Sequence, residues 1–189
     1  MSASRACGKV LLALACACSL SLFSSCTAQA VAQGRRTRPA QGVQEGDRAP
    51  RIAGTDFEGR PLRLSSYRGR VVLLNFWASW CSSCLEEMPT LLQWQKELGP
   101  RGLRIVSLSL DDEKPSAARV VSKFGLTYPV MMATAALAER YGVQALPASF
   151  LIDRQGVVTS VYLGEMPMQQ VHQRLEQLLQ TPERTAKHR

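Results

Sequence analysis

Two cysteines, Cys81 and Cys84, are separated by two serines at the point where an apolar run gives way to a helical pattern. Thiols with this spacing fall on adjacent turns at a helix start, close enough to close a small disulfide ring. The chemistry open to such a pair is thiol–disulfide exchange. Position counts as much as spacing. The first amides of a helix lack intrahelical partners, and the helix dipole there favours negative charge. A thiol placed there has a lowered pKa, and thiolate is the attacking species. Cys81 is therefore the expected nucleophile and Cys84 the residue that resolves the mixed disulfide. The competing chemistry is half of a zinc site, which needs further Cys or His ligands. The other cysteines are Cys7, Cys16, Cys18 and Cys26, and the only histidines are His172 and His188. The redox reading is favoured, with no metal and no cofactor.

Strand and helix patterns alternate around this pair. Arg51–Ala53 and Arg63-Leu64 flank the turn-like Asp56-Phe57-Glu58-Gly59 and predict a short hairpin. Val71–Phe76 is a continuous apolar run, as expected of a strand covered on both faces. A helix is predicted from Cys81 to about Leu98, with Leu85, Met88, Leu91 and Leu92 at helical spacing. Pro89 lies inside it and is expected to bend it. Further strands are predicted over Arg104–Leu110, Tyr128–Met132, Ser149–Asp153 and Val157–Leu163, and further helices over Ser116–Phe124, Ala135–Tyr141 and Met168–Leu179. The order predicts an α/β fold with a mixed central β-sheet flanked by helices. Trp77 reads as core, His172 as an exposed helix residue, and Met131, Met132, Met166 and Met168 as gap-filling apolar side chains.

The formal net charge of +8 raises the question of a nucleic-acid partner. Residues 45–180 hold 15 Lys/Arg against 14 Asp/Glu, so the basic excess lies at the ends of the chain and no nucleic-acid groove is expected. The ends read as outside the fold. Arg5 and Lys9 precede a short apolar run from Val10 to Phe23, the pattern of an export signal. Residues 1–26 are read as that signal, 27–44 as a flexible tether, 45–180 as the folded domain and 181–189 as a disordered tail. Phe23-Ser24-Ser25-Cys26 resembles a bacterial lipobox, which makes Cys26 the lipid attachment site. Cleavage after Ala28-Gln29-Ala30 and a retained anchor are the alternatives. Each places the domain outside the cytoplasm, in the cell envelope or periplasm.

Asn75-Phe76-Trp77-Ala78-Ser79-Trp80-Cys81-Ser82-Ser83-Cys84 resembles the active-site segment of the thioredoxin superfamily, in particular the TlpA/ResA/CcmG branch of envelope proteins. Gly46-Asp47-x-Ala49-Pro50, Leu64-x-x-Tyr67-x-Gly69 and Phe124-Gly125-Leu126-Thr127-Tyr128-Pro129-Val130 resemble the same branch. The resemblance implies a thioredoxin fold with an N-terminal β-hairpin and a central insertion. It implies that Leu146-Pro147 is a cis-proline turn facing the cysteines, with Ala148 where the family often has Thr. Trp80 is expected to cover the disulfide and touch partners. Asn75 stands where cytoplasmic thioredoxins carry a proton-shuttling Asp, and reads as a satisfied polar residue. Glu87, three residues after Cys84, occupies the place of a family carboxylate. Two readings remain open for it: a partly buried proton carrier with a raised pKa, or an exposed helix residue like Glu86.

The leading functional reading is a thiol–disulfide oxidoreductase of the bacterial envelope. It would reduce disulfides of particular exported proteins, for example during cytochrome c maturation. Its partners would be those proteins and a membrane electron donor of the thiol–disulfide relay type. The alternatives are a disulfide-forming oxidase or isomerase and a copper-binding chaperone. The chaperone class needs a wider Cys spacing and a His in the second half of the domain, and no His lies between Cys84 and His172.

Overall fold

The structure is a computed structural model that describes residues 42–180. The proposed signal, Cys26, most of the tether and the tail lie outside the described residues.

Five strands form the central sheet, in the order β5-β4-β3-β6-β7. β3 (Val71–Trp77), β4 (Leu103–Ser109) and β5 (Val130–Met132) run parallel, while β6 (Ala148–Ile152) and β7 (Val158–Leu163) are antiparallel to their neighbours. A separate hairpin joins β1 (Ala53–Thr55) to β2 (Pro61–Arg63), and one turn of 3-10 helix, Leu64–Tyr67, leads from it towards β3. The helices are α1 (Ser82–Leu98), α2 (Lys114–Phe124), α3 (Ala135–Tyr141) and α4 (Met168–Gln180). The mixed sheet and flanking helices agree with the expected architecture. Most bounds shift by one or two residues, the ordinary fraying of element ends.

β3 is buried at all seven positions because both faces of the sheet are covered. Val71, Leu73 and Trp77 face a core shared with α1, α4 and Leu103 and Ile105 of β4. Val72, Leu74 and Phe76 face a second core with Tyr141 of α3, Phe150 and Ile152. In that second core the rings of Phe76, Tyr141 and Phe150 pack in tilted and edge-on pairs with centroids 5.0–5.9 Å apart. α1 buries Cys84, Glu87, Met88, Leu91, Trp94 and Leu98, a stripe at helical spacing, and runs as one helix through Pro89.

Two local readings are corrected. Val43, within the stretch read as tether, is buried in the second core, so ordered packing begins before Glu45. Residues 46–49 then run beside β7, where Gly46 N–H donates to the Val158 carbonyl at 2.8 Å. His172 is half-buried rather than exposed. Its ring lies 5.7 Å from that of Trp94, because α4 packs across α1.

Candidate active site

β3 ends at Trp77, and a tight turn then brings the chain into α1. Cys81 N–H donates to the Ala78 carbonyl at 3.1 Å, which closes the turn with Ser79 and Trp80 at its centre. Cys81 is the N-cap of α1, with extended backbone, and its sulfur accepts from the Cys84 amide at 3.3 Å. A helix usually receives an oxygen there. Here the sulfur takes that place, so the atom that must carry negative charge sits at the unpaired amides. The two cysteines form a disulfide, with Cα atoms 5.3 Å apart, and both are buried. The Ser83 hydroxyl lies 3.7 Å from the Cys81 sulfur. The second residue of the Ser-Ser dipeptide thus offers a further donor to a Cys81 thiolate.

Trp80 is the most exposed large apolar side chain of the described residues, 71% accessible, next to a buried disulfide. The Leu146–Pro147 bond is cis. Ala148 pairs with Phe76 in the β3/β6 register, which brings the Leu146–Pro147 turn to the same end of the sheet as Cys81. The Pro147 carbonyl accepts from Gly164 N–H at 2.8 Å, so the loop after β7 is tied to this turn.

That same loop determines the environment of Glu87. The residue is buried, unlike the exposed Glu86, and Met166 N–H donates to its Oε1 at 2.8 Å. Its Oε2 is buried without a hydrogen-bond partner among the described residues. Burial pushes the carboxyl up to about 7; the Met166 amide opposes this and the charge of Glu165 adds to it. A buried oxygen without a donor leaves the ionised form poorly solvated, and a group titrating near neutrality can both take and give a proton. Asn75 is held in a cross-strand row, donating to Ser149 Oγ at 3.0 Å and accepting from Ser107 Oγ at 3.5 Å. It is a satisfied polar residue in the sheet.

Sequence reasoning missed Asp111. This buried carboxylate follows β4 and accepts from Ser79 N–H at 3.0 and 3.1 Å, from Ser79 Oγ at 2.5 Å and from Ser109 Oγ at 2.8 Å. It clamps the first central residue of the turn that presents Trp80 and Cys81. The run Asp111-Asp112-Glu113 at a strand end reads as a solvated turn. Its real partner, Ser79, is 32 residues away in the chain and is adjacent only through the β3/β4 pairing. Among the described residues no three His, Cys, Asp or Glu side chains gather as a metal site.

The Redoxin family model matches residues 44–179, nearly all of the described fold. The chain belongs to the redoxin family. Within that family it is similar to the thiol–disulfide oxidoreductase ResA of Geobacillus thermodenitrificans, with 35% identity over 72% of this chain and 79% of that one. ResA of Bacillus subtilis is 30% identical over 86% of both chains. A Chlorobium tepidum structure described as a thiol:disulfide interchange protein DsbE superposes with a TM-score of 0.70 at 31% identity, covering 73% of this redoxin and 99% of that chain. A second thiol:disulfide interchange protein of Chlorobium tepidum has a TM-score of 0.66 at 29% identity, covering 73% and 99%. This redoxin is a thiol–disulfide oxidoreductase of the ResA and DsbE kind, and Cys81 and Cys84 are its dithiol pair.

Proposed function

We propose that this redoxin is an exported reductant of protein disulfides in the bacterial cell envelope, anchored to the membrane by lipid on Cys26. The observation that carries the redox roles is Cys81 at the N-cap of α1, its sulfur directed at the Cys84 amide. In the reduced protein the Cys81 thiolate attacks one sulfur of a partner's disulfide. A bond forms between them and the partner's other sulfur leaves as thiolate, to be protonated by water. Glu87, ionised, takes the proton of Cys84. The Cys84 thiolate attacks Cys81, and the second partner sulfur leaves. Two electrons pass to the partner and the Cys81–Cys84 disulfide remains. A membrane dithiol donor returns this disulfide to the dithiol by the same exchange in reverse.

Trp80 and the Leu146–Pro147 turn supply the docking surface. An exposed indole gives apolar contact area, and the open backbone at the turn pairs with an extended partner segment. Apocytochrome c thiols are one candidate substrate class. The apolar, basic-flanked N-terminus supports export. Relatives named as thiol–disulfide oxidoreductases and thiol:disulfide interchange proteins support exchange with protein thiols.

The test is trapping in the native host. A Cys84→Ala chain accumulates covalent adducts at Cys81 that reductant releases, while a Cys81→Ala chain gives none. The wild-type pair is found reduced in growing cells. Absence of adducts, or a potential as oxidising as about −120 mV, typical of a strong disulfide donor, overturns the reductant reading. Radiolabelled fatty acid incorporated in wild type and lost in Cys26→Ala checks the anchor.

A further inference from the structure

At the N-cap of α1 the unpaired amides and the helix dipole stabilise negative charge on the Cys81 sulfur. A dithiol whose reduced form is stabilised in this way gives up its disulfide easily and acts as an oxidant. A reductant on the same helix start needs a group that offsets the helix. Asp111 has the place and the charge to do so.

Both Asp111 oxygens are held by neutral donors, the amide and hydroxyl of Ser79 and the hydroxyl of Ser109. Ser79 lies in the turn that Cys81 N–H closes on the Ala78 carbonyl, and the ends of such a turn are within about 7 Å of each other. Among the described residues no Lys or Arg is within ion-pair distance of Asp111. Lys114, the nearest cation in the chain, stands instead over the Phe57 ring at 5.1 Å. The carboxylate therefore has hydrogen bonds but no counter-ion. Cys81 and Asp111 are both buried, which limits screening between them. The other acids at this end differ. Glu86 of α1, Asp112 and Glu113 after β4, and Glu165 after β7 are exposed, where solvent and salt screen them. Glu87 lies beyond Cys84 on α1, and the Leu146–Pro147 turn carries no charge.

We infer that Asp111 sets the reducing strength of the dithiol: the turn locks its charge beside Cys81, where it opposes the thiolate that the helix start favours. A like charge nearby disfavours the charged form of a group. A less stable thiolate makes the reduced protein less stable relative to the Cys81–Cys84 disulfide, so the dithiol passes its electrons on more readily. Asp111 acts on Cys81 across Ser79. The inference rests on the reductant reading and names the residue that tunes the same site.

The test equilibrates the full-length protein in glutathione and dithiothreitol redox buffers at pH 7. Alkylation and mass spectrometry of the peptide holding Cys81 and Cys84 read its redox state apart from the N-terminal cysteines. Asp111→Asn keeps the shape and one acceptor oxygen but removes the charge. Its equilibrium is expected to move towards the dithiol by about threefold or more, which is about 14 mV at about 30 mV per tenfold. The pH profile of Cys81 alkylation is expected to move to lower pH. Ser79→Ala keeps the charge and loosens the turn, and its equilibrium is expected to match wild type. Asp111→Ser is a second neutral variant and decides the matter if circular dichroism shows Asp111→Asn unfolded. A purely structural clamp gives the opposite sign, because a loosened N-cap stabilises the thiolate less. No shift, a shift away from the dithiol, or an equal shift in Ser79→Ala overturns the inference. The wild-type potential judges the reductant reading and the differences from wild type judge Asp111, so the two fail separately.

Discussion

At the scale of single residues, the site separates two carboxylates by their surroundings. Asp111 is surrounded by donors, whereas Glu87 has one donor and a bare oxygen. The fold therefore favours the protonated form of Glu87. Its carboxyl moves from an ordinary value of 4.5 to about 7, so the stability it contributes is fully present below about pH 4.5 and is lost as pH rises to about 7. The loss is about 3 kcal/mol at most. Urea unfolding of the oxidised protein across this window should show that slope, and Glu87→Gln should flatten it. A slope unchanged in the variant would show that Glu87 does not titrate there. Asp111 predicts the opposite kind of defect. Asp111→Asn leaves the Ser79 amide facing an incomplete acceptor set and should cost about 2 kcal/mol, with Ser79→Ala costing about half that. Trp80 fluorescence anisotropy should fall in both, because the turn that presents it is no longer pinned. Glu87 could be singled out from sequence only through the family resemblance, which has a carboxylate three residues after the second cysteine, and the amide of Met166 that faces it comes from a loop 79 residues away.

At the scale of elements, each helix start and stop has a local cause. α1 begins where Cys81 caps it, and α3 begins where the Thr134 hydroxyl accepts from Leu137 N–H at 3.2 Å. α2 ends at Gly125, which adopts φ +60° and ψ +45° while its amide returns to the carbonyls of Val121 and Ser122. A β-carbon at Gly125 would meet nothing within 4 Å, so the only penalty for a side chain there is the left-handed backbone. Gly125→Ala should lower stability by about 1 kcal/mol, and Gly125→Asn by less, measured by chemical denaturation. Equal losses for the two would point to packing rather than backbone conformation. The stop was visible in the sequence as a Gly after a periodic run. The start of α2 was not: the helix begins at Lys114, two residues before the expected Ser116, with Pro115 in its first turn. Proline is tolerated there because the first amides need no intrahelical acceptor.

At the scale of the whole molecule, the sheet divides the interior into two cores whose residues alternate along β3. Ile105 on β4 faces one core and Ile152 on β6 the other, with β3 between them. Ile105→Val and Ile152→Val should each cost about 1 kcal/mol, and the double variant should cost their sum to within about 0.5 kcal/mol. A larger departure would mean that the sheet transmits strain between its faces. The same layering explains the redox site. β3 is central and buried on both faces, so its end is a rigid platform from which the turn, Cys81 and the neighbouring Leu146–Pro147 turn project.

The sequence by itself determined the fold class, the dithiol and the helix-start placement of Cys81, because apolar periodicity, caps and the CxxC spacing are local properties. It also carried the position of the Pro147 turn through family resemblance. Only the tertiary structure decided the surroundings of the carboxylates. Whether Glu87 is buried depends on the loop at Met166, and whether Asp111 is a clamp depends on Ser79. Such facts arise where segments distant in the chain converge, and desolvation and pairing act only after that convergence. A single strand of sequence records the groups that can ionise; the packed sheet decides the partners they meet.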